Sequence, residues 1–226
     1  LPIGEVFLLA DKEITANFQS PGWPVPWHWV YIEEDDRSAG IGVNMTGLEP
    51  LSVGDRGSLL GTCVLIDSAE LMVWPGGGLV TPGAPKIKPL GMTNKATGGG
   101  EFGGQPALYD QCPPWGPGAA SCGLSNVGSL VRTWGRVTGR GEVRLGGGGL
   151  AKVTWIDDGS YLHDGYTDSV NVPSQGIAVV ELPGPSGVMT GYWGVTGILR
   201  AIQSPGGLPV RLLVPRDIND FVQFLP

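Results

Sequence analysis

The chain carries one pattern twice, and that repetition limits the folds open to it. The segment WVYIEEDDRSAGIGV (29–43) has an echo in VTWIDDGS (153–160) followed by QGIAVVEL (175–182). In both, an aromatic-rich run ends in Ile and two acids, a turn follows, and Gly-Ile opens the next run. Downstream, VGDRGSLLGTCVLIDSAELMVWP (53–75) matches GVMTGYWGVTGILRAIQSPGGLPVRLLVP (187–215) in layout. Each is a long run with Gly-Thr or Thr-Gly inside it, then a turn, then a short apolar run stopped by Pro. Upstream, KEITANFQ (12–19) and LVRTWGRVTG (130–139) supply an opening strand to each unit.

Each unit therefore reads as five strands: an opening strand, an acidic-tipped hairpin, a long fourth strand and a short fifth. No amphipathic helix of convincing length interrupts them. The 39 Gly and 20 Pro fall between β-branched and aromatic runs without a collagen period, as in an all-β chain with many tight turns. Five short strands that close on themselves follow the plan of the OB-fold barrel, in which closure removes most exposed edge. Mid-strand glycines suit the corners of such a barrel. The expected architecture is all-β: two small five-stranded OB-like β-barrels in tandem, joined by a long Gly/Pro-rich connector. Barrel 1 takes residues 1–75, the connector 76–123, and barrel 2 with a C-terminal tail 124–226. In YIEEDDRSAGIGV with VGD…GT, and in LVRTWGRVTG with WIDDGS…GIAVV…VTGILR, the chain resembles OB-type domains found in tandem in secreted and surface-exposed bacterial proteins. Related domains bind nucleic acid, sugars or proteins, or act as spacers, so the resemblance implies a fold and an extracytoplasmic setting rather than a chemistry.

Charged residues make up 15% of the chain and the formal net charge is −7, which argues against phosphate-backbone binding as the main task. No apolar run approaches the ~20 residues of a membrane-spanning helix. The opening LPIGEV lacks an initiator Met, as a processed chain or a piece of a longer one would. Cys112 and Cys122 flank PPWGPGAAS, too poor in apolar side chains to hold itself by packing. A disulfide is the expected staple there, worth ~2–3 kcal/mol and implying an oxidising compartment. Cys63 reads as a small core residue. His28 and His163 lie far apart without metal-site spacing, so no metal is assigned with confidence.

The four acids Glu33, Glu34, Asp35 and Asp36 could suggest a carboxylate pair or a calcium site. Adjacent strand residues point to opposite faces, however, so Glu33 and Glu34 do not converge. Asp35-Asp36-Arg37-Ser38 reads as turn chemistry. The longer second tip offers Asp157, Asp158, Asp164 and Asp168 as a candidate Ca²⁺ loop, without EF-hand spacing. In LVRTWGRVTGRGEVRL, alternation puts Arg132, Trp134 and Arg136 on one face and Val131, Thr133 and Val137 on the other. Trp23, Trp27 and Trp29 cluster in PGWPVPWHWV, where prolines favour a rigid loop presenting aromatic surface. GGGEFG (98–103) meets a G-x-G-x-x-G spacing but follows no strand in a βαβ unit, so it is set aside. Neither a P-loop nor a nucleophile elbow occurs.

These readings converge on a non-enzymatic, secreted or cell-surface structural protein that self-assembles head-to-tail into a filament or similar homopolymer. The apolar start LPIGEVFLLAD is expected to add as a strand to another subunit, and the tail DINDFVQFLP to dock in a neighbour. The alternatives are a module binding carbohydrate, such as an extracellular polysaccharide, or another polymer through the tryptophans, and a single-stranded nucleic-acid binder using Arg132, Trp134 and Arg136.

Overall fold

The computed structural model describes residues 3–18, 29–44, 51–110, 120–145, 149–164, 175–182, 189–204 and 206–224. The protein is all-β. In the first unit, β1 (Val6–Asn17), β2 (Trp29–Glu33), β3 (Gly40–Asn44), β4 (Arg56–Ile66) and β5 (Glu70–Thr81) close into a barrel in the order β1-β2-β3-β5-β4. Neighbours are antiparallel except β3 and β5, which run parallel with Gly42 beside Met72. β1 turns two corners, where its register shifts between Leu9 and Lys12 against β4 and between Ile14 and Ala16 against β2. Irregularities of this kind bend a strand sharply enough to close a small barrel. Ile14, Val30, Ile32, Val43, Leu59 and Val73 fill the interior.

The second half forms a seven-stranded sheet from β6 (Leu90–Gly91), β7 (Leu130–Arg144), β8 (Leu150–Asp157), β9 (Ile177–Val180), β10 (Tyr192–Gln203), β11 (Pro209–Val214) and β12 (Phe221–Phe224). Its order is β12-β10-β11-β9-β8-β7-β6, and β10 also pairs with β7. The path β7-β8-β9-β11-β10 thus returns to β7, and β9 and β11 are parallel as β3 and β5 are. β9 and β11 are buried throughout. One set of side chains, including Ile177, Val179 and Leu213, joins a core of this sheet alone. The other set, including Ala178, Val180 and Leu212, shares a cluster with Phe18, Tyr31 and Met72 of the first barrel. Burial on both faces is why these strands read as apolar runs, broken only by Arg211 in β11.

Three boundaries differ from expectation. β5 does not stop at Pro75 but continues to Thr81, through residues assigned to the connector. Pro75 lies opposite Gly61 at a register shift, where a missing N–H breaks no regular ladder bond. The opening segment is no free arm, because Val6 to Leu9 pair with Thr62 to Leu59 inside the barrel. The described part of the tail is also used internally, since a single 3-10 turn at Ile218–Asp220 leads into β12, which pairs along β10. Between the sheets, Lys86 and Ile87 donate backbone N–H bonds of 2.9 Å to Glu13, and Leu90–Gly91 pair with β7. The expected Cys112–Cys122 disulfide is not formed: Cys122 is an exposed free thiol, and Cys112 lies outside the described residues. Beside Cys122, Ser121 donates its N–H to the Leu108 carbonyl at 2.6 Å and its hydroxyl accepts from Arg211.

Candidate functional site

The acidic tip resolves into four separate tasks. Glu33 is buried, and Arg37 sits beside it because a left-handed backbone (φ 66°) returns its side chain toward β2. Arg37 Nε donates to Glu33 at 3.0 Å and its Nη2 to the Leu130 carbonyl at 2.8 Å, while the Leu130 N–H donates to the other Glu33 oxygen. The pair therefore grips both backbone polar groups of Leu130, the first residue of β7. Burial pushes the Glu33 carboxyl above its ordinary value, against the pull of the Leu130 N–H and Arg37. Glu34 points the other way and pairs with Lys12. Asp35 takes Arg56 at 2.9 and 3.0 Å, a bond that holds its carboxyl below the usual range. Asp36 closes the turn by accepting the Ser38 N–H at 2.9 Å.

Two further arginines are spent inside the fold. Arg200 of β10 donates to Glu70 of β5 at 2.8 Å (Nε) and approaches it at 2.7 Å (Nη2). The Tyr31 hydroxyl donates to the other Glu70 oxygen at 2.8 Å, and the guanidinium lies 5.9 Å from the Tyr31 ring centre. Burial raises both the Glu70 carboxyl and the Tyr31 hydroxyl, with Arg200 opposing it in each case. Arg211 of β11 is buried against Asp164 and donates to the carbonyls of Thr97 (2.7 Å) and Tyr109 (3.1 Å) and to the Ser121 hydroxyl. This one side chain ties the irregular segment between the sheets to β11. The sequence did carry a signal for both: a lone Arg inside the apolar runs GILRAI and PVRLLV, since a buried Arg requires a partner. Their partners, Glu70 and Asp164, are distant in sequence and could not be read from it.

Of the candidate calcium ligands, the three that are described are each bonded to protein partners. Asp157 accepts from the Tyr161 N–H and Gln175, Asp158 from the N–H groups of Asn94 and Ser160, and Asp164 from Arg211. Asp168 lies outside the described residues. Among the described residues no group of His, Cys, Asp and Glu is arranged to hold a metal ion. Trp29 stacks edge-on against Trp74 with ring centres 6.2 Å apart, while Trp23 and Trp27 fall outside the described residues. A cavity of about 330 Å³ lies among Leu9, Ile32, Ile41, Leu71, Phe102 and Val127. Its Glu33, Lys12, Glu34 and Gln105 side chains are already bonded within the protein, so it presents an apolar hollow.

The unspent chemistry is on two outer sheet faces. On the first barrel, Leu8 lies opposite Leu60, Thr62 opposite both Val6 and Trp74, and Ser58 opposite Leu79. Cross-strand partners share a face. Val6, Leu8, Leu60, Trp74 and Leu79 thus form one apolar surface across β1, β4 and β5, each between 50% and 68% exposed. On the second sheet, Arg132, Trp134 and Arg136 alternate outward along β7. Trp134 lies opposite Gly194 and Arg136 opposite Tyr192, and Val222 and Phe224 flank β10 from its other side. Trp134, Tyr192, Val222 and Phe224 are 40–54% exposed. No protein-family model matches the chain, and no curated protein sequence matches it.

Proposed function

We propose that this chain is a non-enzymatic structural subunit: a rigid two-sheet block that self-associates through its outer sheet faces. The observation that carries the reading is the surface formed by Val6, Leu8, Leu60, Trp74 and Leu79. Exposed apolar side chains scattered singly need no explanation, but a contiguous set across three strands marks an interaction surface. The reading is supported by how the charged residues are used. Glu33, Glu70 and Asp164 are each held by an arginine; the first two serve the packing of the two halves, and the third fastens the irregular segment to β11. We further infer that the second sheet repeats the OB-like plan of the first, making the chain a tandem pair; the returning path β7-β8-β9-β11-β10 and its parallel β9–β11 pairing support this. An extracellular setting rests on composition, with sparse charge and abundant Gly, Pro and aromatic residues, and no longer on a disulfide.

The test is sedimentation velocity over a hundredfold concentration range, with negative-stain imaging of the most concentrated sample. Growing species are expected, and Leu60→Glu should abolish them while leaving the melting temperature within a few degrees. A strict monomer throughout would end the proposal. A second reading, binding of an acidic polysaccharide, is favoured by the exposed Arg132-Trp134-Arg136 row beside Tyr192; retention on immobilised polygalacturonate would support it.

A further inference from the structure

The two outer faces differ in chemistry in a way that fits them to each other. We infer that copies of this chain join head-to-tail, the β1/β4/β5 face of one molecule seated on the β7/β10/β12 face of the next; the inference rests on the self-association proposed above.

Charge is the first argument. Arg132 and Arg136 form no ion pair or hydrogen bond through their side chains among the described residues, although the chain as a whole carries a net −7. They flank Trp134 and are exposed with it. The first face ends in an acidic corner. Asp11 follows Leu8 on β1, its N–H bonded to Ser58 at 2.9 Å, and Ser58 lies opposite Leu79. Asp11 and Asp35 share the single guanidinium of Arg56, and Asp36 beside them is bonded by the Ser38 side chain and backbone N–H, neither of which carries charge. Carboxylates thus outnumber cations there, with Asp11, Glu13, Glu34, Asp35 and Asp36 gathered around Arg56, Lys12 and Lys86, whereas two arginines without a bonded partner among the described residues stand on the other face. A two-fold contact of either face with itself would oppose like charges, which disfavours it; the heterologous contact opposes unlike ones.

Shape is the second argument. Gly77 lies opposite Leu60 and has open space where a side chain would project, so the first face has a hollow within its apolar row. On the second face the Phe224 ring and the Arg132 guanidinium cover Gly194, the position beside Trp134, and the indole itself stays 42% exposed. An exposed indole against a glycine hollow rimmed by Leu60, Trp74 and Leu79 is the kind of aromatic anchor that dominates protein contacts. Because the two faces are different surfaces of one chain, each added copy leaves one of each free, and growth continues unless the rotation closes a ring.

The experiment uses two full-length variants, Leu60→Glu to spoil the first face and Trp134→Glu to spoil the second. Both positions are exposed, and a thermal melt checks that each variant is folded. Expected are open-ended oligomers for the wild type, monomers for each variant alone, and dimers that grow no further in an equimolar mixture of the two. Self-affinity of each variant should fall at least tenfold. If either variant alone still dimerises, the contact is isologous and the inference fails while self-association stands. If the wild type assembles but the mixture stays monomeric, the second face is not the partner surface. If Trp134→Glu assembles normally and instead loses retention on polygalacturonate, that face is a polymer site and the inference fails. A monomeric wild type refutes both the inference and the function it rests on.

Discussion

Arg200→Met tests how much of this fold depends on the charge buried between its halves. Arg200 brings two nitrogens to the same Glu70 oxygen at 2.8 and 2.7 Å, and the Tyr31 hydroxyl serves the other oxygen at 2.8 Å. The substitution keeps the side chain's length and removes both donors, leaving a buried carboxylate with one neutral partner. Breaking a buried pair in this way costs about 3–5 kcal/mol. At an m-value of about 2 kcal/mol per M, that lowers the urea midpoint by roughly 2 M. The pH dependence gives a second, independent readout. Burial already raises the Glu70 carboxyl above its unfolded value, so between those two values the folded state binds more protons than the unfolded one. Stability from this group therefore falls as pH rises through the window. Without Arg200 the folded value climbs further and the window widens upward, so the variant's penalty at neutral pH should shrink on acidification, as the buried carboxylate takes a proton. Replacing both partners, Glu70→Leu with Arg200→Met, should cost less than Arg200→Met alone at pH 7. A loss under about 1 kcal/mol for Arg200→Met, or a penalty flat with pH, would refute this account of the pair.

Three other outcomes follow from the same contacts. Glu33→Ala removes the acceptor for the Leu130 N–H and the partner of Arg37, and should cost about 1–3 kcal/mol with faster exchange of the Leu130 amide. Gly40→Ala would set a Cβ 2.5 Å from the Gly128 carbonyl oxygen, and Gly128 itself has φ +88°, so neither partner can yield cheaply; a destabilisation above about 2 kcal/mol is expected in chemical denaturation. Thiol titration should find exposed Cys122 reactive in the native protein, Cys63 protected by burial, and three free thiols after denaturation under non-reducing conditions.

Local patterning carried a good part of this protein. The doubled run of an aromatic strand, two acids and Gly-Ile predicted the hairpins β2–β3 and β8–β9, because strand ends and turns are set by neighbours in sequence. Strand alternation separated Glu33 from Glu34, and it placed Arg132, Trp134 and Arg136 outward on β7, as the burial pattern has them. The exposed face of the first barrel was harder to see, since Val6, Leu8, Leu60, Trp74 and Leu79 come from three strands whose register only pairing reveals. The same limit hid the ends. LPIGEVFLLAD and DINDFVQFLP look like free apolar arms in the sequence, yet their described residues supply the first half of β1 and the whole of β12.

What the sequence determined by itself was therefore the all-β character, the repeat and the faces along single strands, each of which depends on residues a few positions apart. The tertiary structure decided the rest. Arg37 reaches Leu130, Arg200 reaches Glu70, Arg211 reaches Thr97, and Gly40 meets Gly128 across separations that no periodicity encodes. A buried charge announces that it needs a partner, but the partner is chosen by how the chain closes, because desolvation penalises every arrangement in which the two do not meet.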